Sequence, residues 1–391
     1  MKKIIIVINN LETGGVQKSL LNLLKEIAHI YDVTLIAFFG NPAFEESLPQ
    51  SVKCVTLHTP FSHLGMSAKD TAGNLRLFLG RAFWKALTAA FGRSFAMKLM
   101  FLFRKKRRGY DVAISYLHEA PQKNLYGGCN EFVLKMVEAE QKIAWLHCDF
   151  RLCGANNAQS KRIYQQFHKI VACSDGCRDA FVACIPQLAH KTISLRNCND
   201  YEQIKALAGD GITYDRGYFN IVTVARLAEE KGIERGIRAV QHCLRKGYKI
   251  KYHVIGSGDQ AHFLKDTVCK AGLEETVVFY GNQTNPYPYI VNADLFLLTS
   301  YHEAAPMVFD EAACLGVPVL ATETTSTREM IADTGAGFVC ANTQEGLQDA
   351  LEAVLAQPDQ LQEVKKTLQQ TNRTNEKTVN DFLKMLESAS A

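Results

Sequence analysis

Two glutamates with seven residues between them stand in the segment Ser300-Tyr301-His302-Glu303-Ala304-Ala305-Pro306-Met307-Val308-Phe309-Asp310-Glu311-Ala312, directly after the apolar run Leu295–Leu298. Such a run reads as a buried strand. Pro306 suits the first turn of a helix, because its fixed φ fits there and its missing N–H is one that no helical carbonyl would accept. A strand leading into a helix N-terminus presents free backbone N–H groups and a partial positive charge, which favour a phosphate-bearing ligand. On this reading Glu303 lies in the loop, Pro306, Met307 and Val308 open the helix beside the ligand, and Glu311 sits inside it. Read as two acids alone, the pair is equally a helix-dipole acid and a solvated loop charge.

Arg226 and Lys231 follow a second apolar run, Phe219–Val224. Fixed cations aimed at a group that gains negative charge in a transition state stabilise that charge. Without context, an exposed cation pair is ordinary surface charge. Three weaker features complete the set. Gly256-Ser257-Gly258 ends another apolar run, and a lone Gly-x-Gly is commonly only a tight turn. Gly14-Gly15 stands between the first apolar run and a segment of helical spacing, where adjacent glycines let a backbone approach another group closely. His147 ends the run Ile143–Leu146, and a single such histidine is more often a satisfied structural residue. The full Gly-x-Gly-x-x-Gly fingerprint does not occur in the first loop, which argues against a dinucleotide enzyme.

Together these residues resemble the Glu-x7-Glu family of retaining GT-B glycosyltransferases, numbered family 4 (glycosyl transferases group 1). The match runs through Ser300, Glu303-Ala304-Ala305-Pro306, Glu311-Ala312 and Gly316-Val317-Pro318-Val319, with Glu329 beyond. It includes Arg226-Leu227 with Lys231-Gly232, and Gly14-Gly15-Val16-Gln17. Two departures stand out: Ala304 and Ala225 occupy positions where the family usually has glycine. The resemblance implies that Arg226 and Lys231 hold the donor diphosphate, that Glu311 binds ribose hydroxyls and that Glu303 sits against the sugar. Gly14, Gly15, Gly256 and Gly258 would lie near the donor, and His147 would orient the sugar. Glu303 and His147 are the expected catalytic residues. No Asp-x-Asp occurs, so no metal site and no cofactor are expected. The implied reaction is retaining transfer from a nucleotide-sugar donor, a UDP-sugar by preference, to a glycan or lipid-linked acceptor in bacterial surface polysaccharide assembly. Two rivals remain: a non-catalytic GT-B subunit supporting a partner enzyme, and a sugar-nucleotide epimerase.

The elements that must position these residues alternate short β-rich runs with helix-period segments in both halves of the chain. The fold class expected is α/β, in GT-B architecture: two Rossmann-like doubly wound domains facing each other across a cleft. The expected boundaries are 1–196 for the acceptor-side domain, 197–218 for a linker, 219–374 for the nucleotide-sugar domain and 375–391 for a C-terminal helix packing back toward the first. The tail's spacing of Val379, Phe382, Leu383 and Leu386 predicts that helix.

At 391 residues the chain exceeds what one core ordinarily supports, and 47% hydrophobic with 21% charged residues is the balance of a globular protein. The apolar run after Lys2-Lys3 is too short for a signal peptide, and no long uncharged stretch could span a bilayer. The twelve cysteines match neither zinc spacing nor a disulfide scaffold, so buried, reduced thiols are expected. These features point to the cytoplasm. The net charge of +4 conceals an asymmetry, the first 200 residues being basic and the rest acidic. Within 76–108 ten Lys/Arg occur with no Asp or Glu, interleaved with aromatic residues and ending in Arg104-Lys105-Lys106-Arg107-Arg108. That stretch is expected to meet an anionic membrane surface, the inner face of the plasma membrane. The basic first half alone suggests nucleic acid, but no recognition motif supports it.

Overall fold

The computed structural model describes every residue except Thr13, Asp210 and 388–391. The chain divides into two compact units, one of Met1–Cys198 with Asn375–Ala391 and one of Asn199–Thr374. Each is built on a single all-parallel sheet.

The first unit's strands are β1 (Lys3–Asn10), β2 (Asp32–Phe39), β3 (Lys53–Thr56), β4 (Arg107–Ser115), β5 (Val137–Leu146), β6 (Lys169–Ala172) and β7 (Thr192–Ser194). They lie in the order β3-β2-β1-β4-β5-β6-β7. Ile4, Ile6 and Ile8 of β1 point to one face, where Leu20, Leu23 and Leu24 of helix Gly15–Ile27 cover them. The closing helix, Glu376–Glu387, adds Phe382, Met385 and Leu386 to the same core, with Val379 and Leu383 at its margin. It is tied down by Asn375 Nδ2 donating to Glu26 at 2.5 Å and Lys2 Nζ donating to the Leu386 carbonyl at 3.1 Å. Residues 388–391 of the expected C-terminal segment lie outside the described residues.

The second unit's strands are β8 (Phe219–Val224), β9 (Ile250–Ile255), β10 (Val277–Gly281), β11 (Leu295–Leu298), β12 (Val319–Thr322) and β13 (Gly337–Cys340), in the order β10-β9-β8-β11-β12-β13. Residues 197–218, expected as a linker, are mostly part of this unit. Helix Tyr201–Ala206 buries Ile204, and Tyr214 beyond it joins a core with Ile290 and Phe309. The polar composition misled because few apolar side chains anchor the stretch, and only the fold brings their partners to them.

In both sheets the chain starts in the middle, winds outward to one edge, and returns to the other side of its first strand. The order therefore reverses between β1 and β4 in the first unit and between β8 and β11 in the second. Loops leaving the carboxyl ends of strands at such a switch point diverge in opposite directions, and the gap between them is where ligands bind in open α/β sheets.

The basic stretch forms two helices, Leu75–Phe91 and Arg93–Phe101, and then enters β4. Arg93, one of the ten cations expected at the membrane surface, is fully buried instead. It pairs with Glu119 and, at 3.5 Å, with Glu131, and donates to the carbonyls of Asn124 and Tyr126. All twelve cysteines are free thiols, but the expected burial is uneven: Cys269 is exposed and Cys54, Cys148, Cys153, Cys184 and Cys314 are half-buried.

Candidate active site

In the second unit, the loops at the switch point are joined by one hydroxyl. Thr299, directly after β11, donates from Oγ1 to the carbonyls of Lys231 and Gly232 at 3.0 and 2.8 Å. Gly232 adopts φ 59°, and a Cβ there would meet the Thr299 carbonyl oxygen at 2.4 Å. Only glycine allows this left-handed turn so close to another backbone. The turn aims Lys231 across the gap, where its Nζ donates to Glu303 Oε1 at 2.6 Å. Ser300 Oγ donates to the same oxygen at 2.7 Å. Glu303 is 9% exposed and Lys231 21%, so the pair is largely withdrawn from water.

Arg226 stands on the same loop, exposed and paired with Glu230. Tyr301 N donates to the Glu230 carbonyl at 2.9 Å, a second stitch between the loops. Helix Met307–Cys314 begins one residue later than expected, with Pro306, which makes no side-chain cap hydrogen bond, as its N-cap at φ −70° and ψ 119°. Met307 is therefore its first helical residue, and both Met307 and Glu311 are buried. Val308 is half-buried beside them.

Gly256 and Gly258 have an account within the fold. A Cβ at Gly256 would lie 1.9 Å from the Ala225 carbonyl oxygen, and one at Gly258 2.2 Å from that of Leu227. The turn after β9 thus packs its backbone on the loop that carries Arg226, with Leu227 N donating to the Ser257 carbonyl at 2.9 Å. The glycines shape the Arg226 loop by close approach. Sequence reasoning missed Arg235 and Asn342. Arg235 lies 4.6 Å over the Tyr301 ring and donates to Asn342 Oδ1 at 2.7 Å, while Asn342 Nδ2 donates to the Tyr301 carbonyl at 3.1 Å. Their signal in the sequence is nil, since 107 residues separate the two.

In the first unit, Gly14 caps helix Gly15–Ile27 in an extended conformation and brings no side chain of its own to the helix's first N–H groups. Gln17 turns back instead, Nε2 donating to Asn10 Oδ1 at 2.7 Å, and Asn10 Nδ2 donates to the Gly65 carbonyl at 3.1 Å. The loop after β1 is thereby held by neutral amides. His147, just past β5, stacks on Trp145 at 6.2 Å with the rings 8° apart, and its ring lies 4.7 Å from Tyr116. Burial first, and then the neighbouring His118, push its pKa down to about 3. The imidazole is neutral at ordinary pH, and its Nε2 has no hydrogen-bond partner among the described residues. A ring so weakly basic is suited to donating or accepting a hydrogen bond rather than to taking a proton.

Comparison with known proteins bears on the family and the fold. Residues 213–371 match the family model described as glycosyl transferases group 1. The amylovoran biosynthesis glycosyltransferase AmsK of Erwinia amylovora is 33% identical over 143 residues, 34% of each chain. The lipopolysaccharide glucosyltransferase WaaG of Escherichia coli K12 is 32% identical over 132 residues, 32% of this chain and 34% of that one. These alignments span only about a third of the curated relatives' lengths. The crystal structure of Anabaena Alr3699/HepE in complex with UDP superposes with a TM-score of 0.69 over 99% of this chain and 100% of that one, at 16% identity, a likeness of fold. Residues 213–371, where Lys231, Glu303 and Glu311 lie, thus resemble the glycosyl transferases group 1 family, on a chain whose two units share the fold of GT-B structures.

Proposed function

We propose that the protein is a retaining glycosyltransferase that moves a sugar from a UDP-sugar to a glycan or lipid-linked acceptor in bacterial surface polysaccharide assembly. The observation that carries the reading is the Lys231–Glu303–Ser300 cluster at the second unit's switch point, on the stretch that matches glycosyl transferases group 1. Lys231 has three N–H donors, so it can keep Glu303 and still reach a phosphate oxygen. Arg226, exposed on the same loop, supplies the second cation, and the N–H groups of Met307 and Val308 add a helix end. As the bond to the sugar breaks, this cradle stabilises the growing negative charge on the diphosphate without a metal ion. Glu303, oriented by Ser300 and Lys231, faces the sugar, and Glu311 serves the ribose. His147 orients a hydroxyl as a neutral hydrogen-bonding group, and the Gly14-Gly15 helix end contributes backbone donors.

The protein works in the cytoplasm, docked on the inner leaflet through residues 76–108. No helix among the described residues is long and apolar enough to cross a membrane. Helix Leu75–Phe91 leaves Leu75, Phe78, Leu79, Phe83 and Phe91 at least half exposed, among cations and no acids. Calorimetric titration with UDP, with and without a chelator, tests the donor site. Binding that survives chelation is expected, and loss of all binding on chelation overturns the metal-free cradle. Product analysis with UDP-sugars alone and with acceptor separates transfer from epimerisation.

A further inference from the structure

The five cations that end the basic stretch do not share one fate. Lys106 and Arg108 pair with Glu138 at 3.4 and 2.9 Å. Arg104, Lys105 and Arg107 have no acid within ion-pair distance among the described residues, and all three line a cavity of about 350 Å³. Phe61, Phe132 and Met136 line it as well, with the Arg104 guanidinium 6.0 Å over the Phe61 ring, and no carboxylate does. A second concavity, about 420 Å³ and lined by Lys105 to Arg108 with Tyr110, shares Lys105 and Arg107 with the first. Phe103, which precedes these cations in the chain, is fully exposed and, at φ 62°, the one non-glycine residue with positive φ among the described residues. A bulky side chain rarely adopts that conformation.

Cations lying beside hydrocarbon suit a ligand that is itself an anion joined to hydrocarbon. Arginine meets phosphate by paired N–H donors, and the long stems of Arg and Lys lie against apolar surface while their charges reach outward. We infer that residues 102–108 and the cavity they rim bind one anionic phospholipid of the bilayer, its phosphate at Arg104 and Arg107 and its acyl chain against Phe61, Phe132 and Met136. The inference deepens the membrane-docking reading and rests on it: the exposed helix faces give general adhesion, and this cavity gives a saturable preference for anionic lipid. Phe103 enters the acyl region beside it.

The test is calorimetric titration of the full chain with dihexanoyl phosphatidylglycerol below its micelle concentration. Saturation at one lipid per chain is expected, at least tenfold tighter than dihexanoyl phosphatidylcholine or inorganic phosphate, and tenfold weaker in the Arg104→Ser/Arg107→Ser double variant. Leu57→Trp, which narrows the cavity and keeps every cation, is expected to weaken binding as much. Should that variant fail to fold, glycerophosphoglycerol decides: the same headgroup without acyl chains must bind at least fivefold more weakly. Absence of saturation, equal binding of glycerophosphoglycerol, or wild-type binding by a folded Leu57→Trp overturns the site. Sedimentation with phosphatidylglycerol vesicles addresses the docking reading separately. Vesicle binding without monomer saturation sinks the cavity site alone, and monomer saturation without vesicle binding sinks the docking.

Discussion

At the second unit's switch point the side chains are charged and already engaged with one another, Lys231 with Glu303 and Arg226 with Glu230. In the first unit the loop after β1 is held by the neutral amides of Asn10 and Gln17 and burial keeps His147 uncharged past β5, while Glu119 in the loop after β4 is fully buried with its partner Arg93. On the proposed function, the difference follows from what each would bind. A diphosphate carries charge that fixed cations recognise, and cations in a partly dry site need a carboxylate to hold them in place before the ligand arrives. Sugar hydroxyls are neutral, and neutral donors and acceptors recognise them without the desolvation cost of a buried ion.

The sharpest way to break this comparison is Glu303→Ala, which removes the charged side's centre. Transfer is expected to fall by on the order of 10²–10³-fold, with the far-ultraviolet circular dichroism unchanged; wild-type turnover would remove Glu303 from the site. Gly232→Val attacks the geometry instead of the charge. With a Cβ that would meet the Thr299 carbonyl at 2.4 Å and φ of 59°, the variant should lose on the order of 2–4 kcal/mol, read as a melting-point drop of about 5–15 °C. Arg226→Ala should weaken UDP by about tenfold in calorimetry, less than loss of Lys231, because Arg226 is exposed and water screens its charge.

The smallest effect sharpens the neutral side. His147→Gln keeps a hydrogen-bonding group and should lower transfer by no more than about tenfold, without moving the pH profile near 6.5. The sign for stability follows from its depressed pKa. Between about 3 and the ordinary 6.5 the unfolded chain binds a proton that the folded chain does not, so His147 takes stability away as pH falls through that window. The glutamine variant should show a shallower loss of melting temperature from pH 6.5 to 4, and an unchanged slope would mean that the ring titrates normally.

Much of the fold was legible because strands are written in local pattern. The apolar runs Phe219–Val224 and Leu295–Leu298 are strands with the expected ends, whereas β5 begins at Val137, six residues before the run Ile143–Leu146. The stretch 137–142 is mostly polar, so no apolar run marked it. The stretch 197–218 was misjudged for a related reason, since Ile204 and Tyr214 acquire meaning only beside Ile290 and Phe309.

The sequence by itself determined the alternating α/β order, the phosphate-friendly residue types after β8 and β11, and the acid-free basic stretch, because each is a matter of composition and short spacing. Tertiary structure alone decided what touches what. It made Lys231 and Glu303, 72 residues apart, an ion pair, and it buried Arg93 against Glu119. It gave Gly256 and Gly258 their place against the Arg226 loop and took the charge from His147. Contacts of that kind depend on which strands lie side by side, and burial depends on what covers a residue from elsewhere in the chain; neither quantity is stored in neighbouring residues.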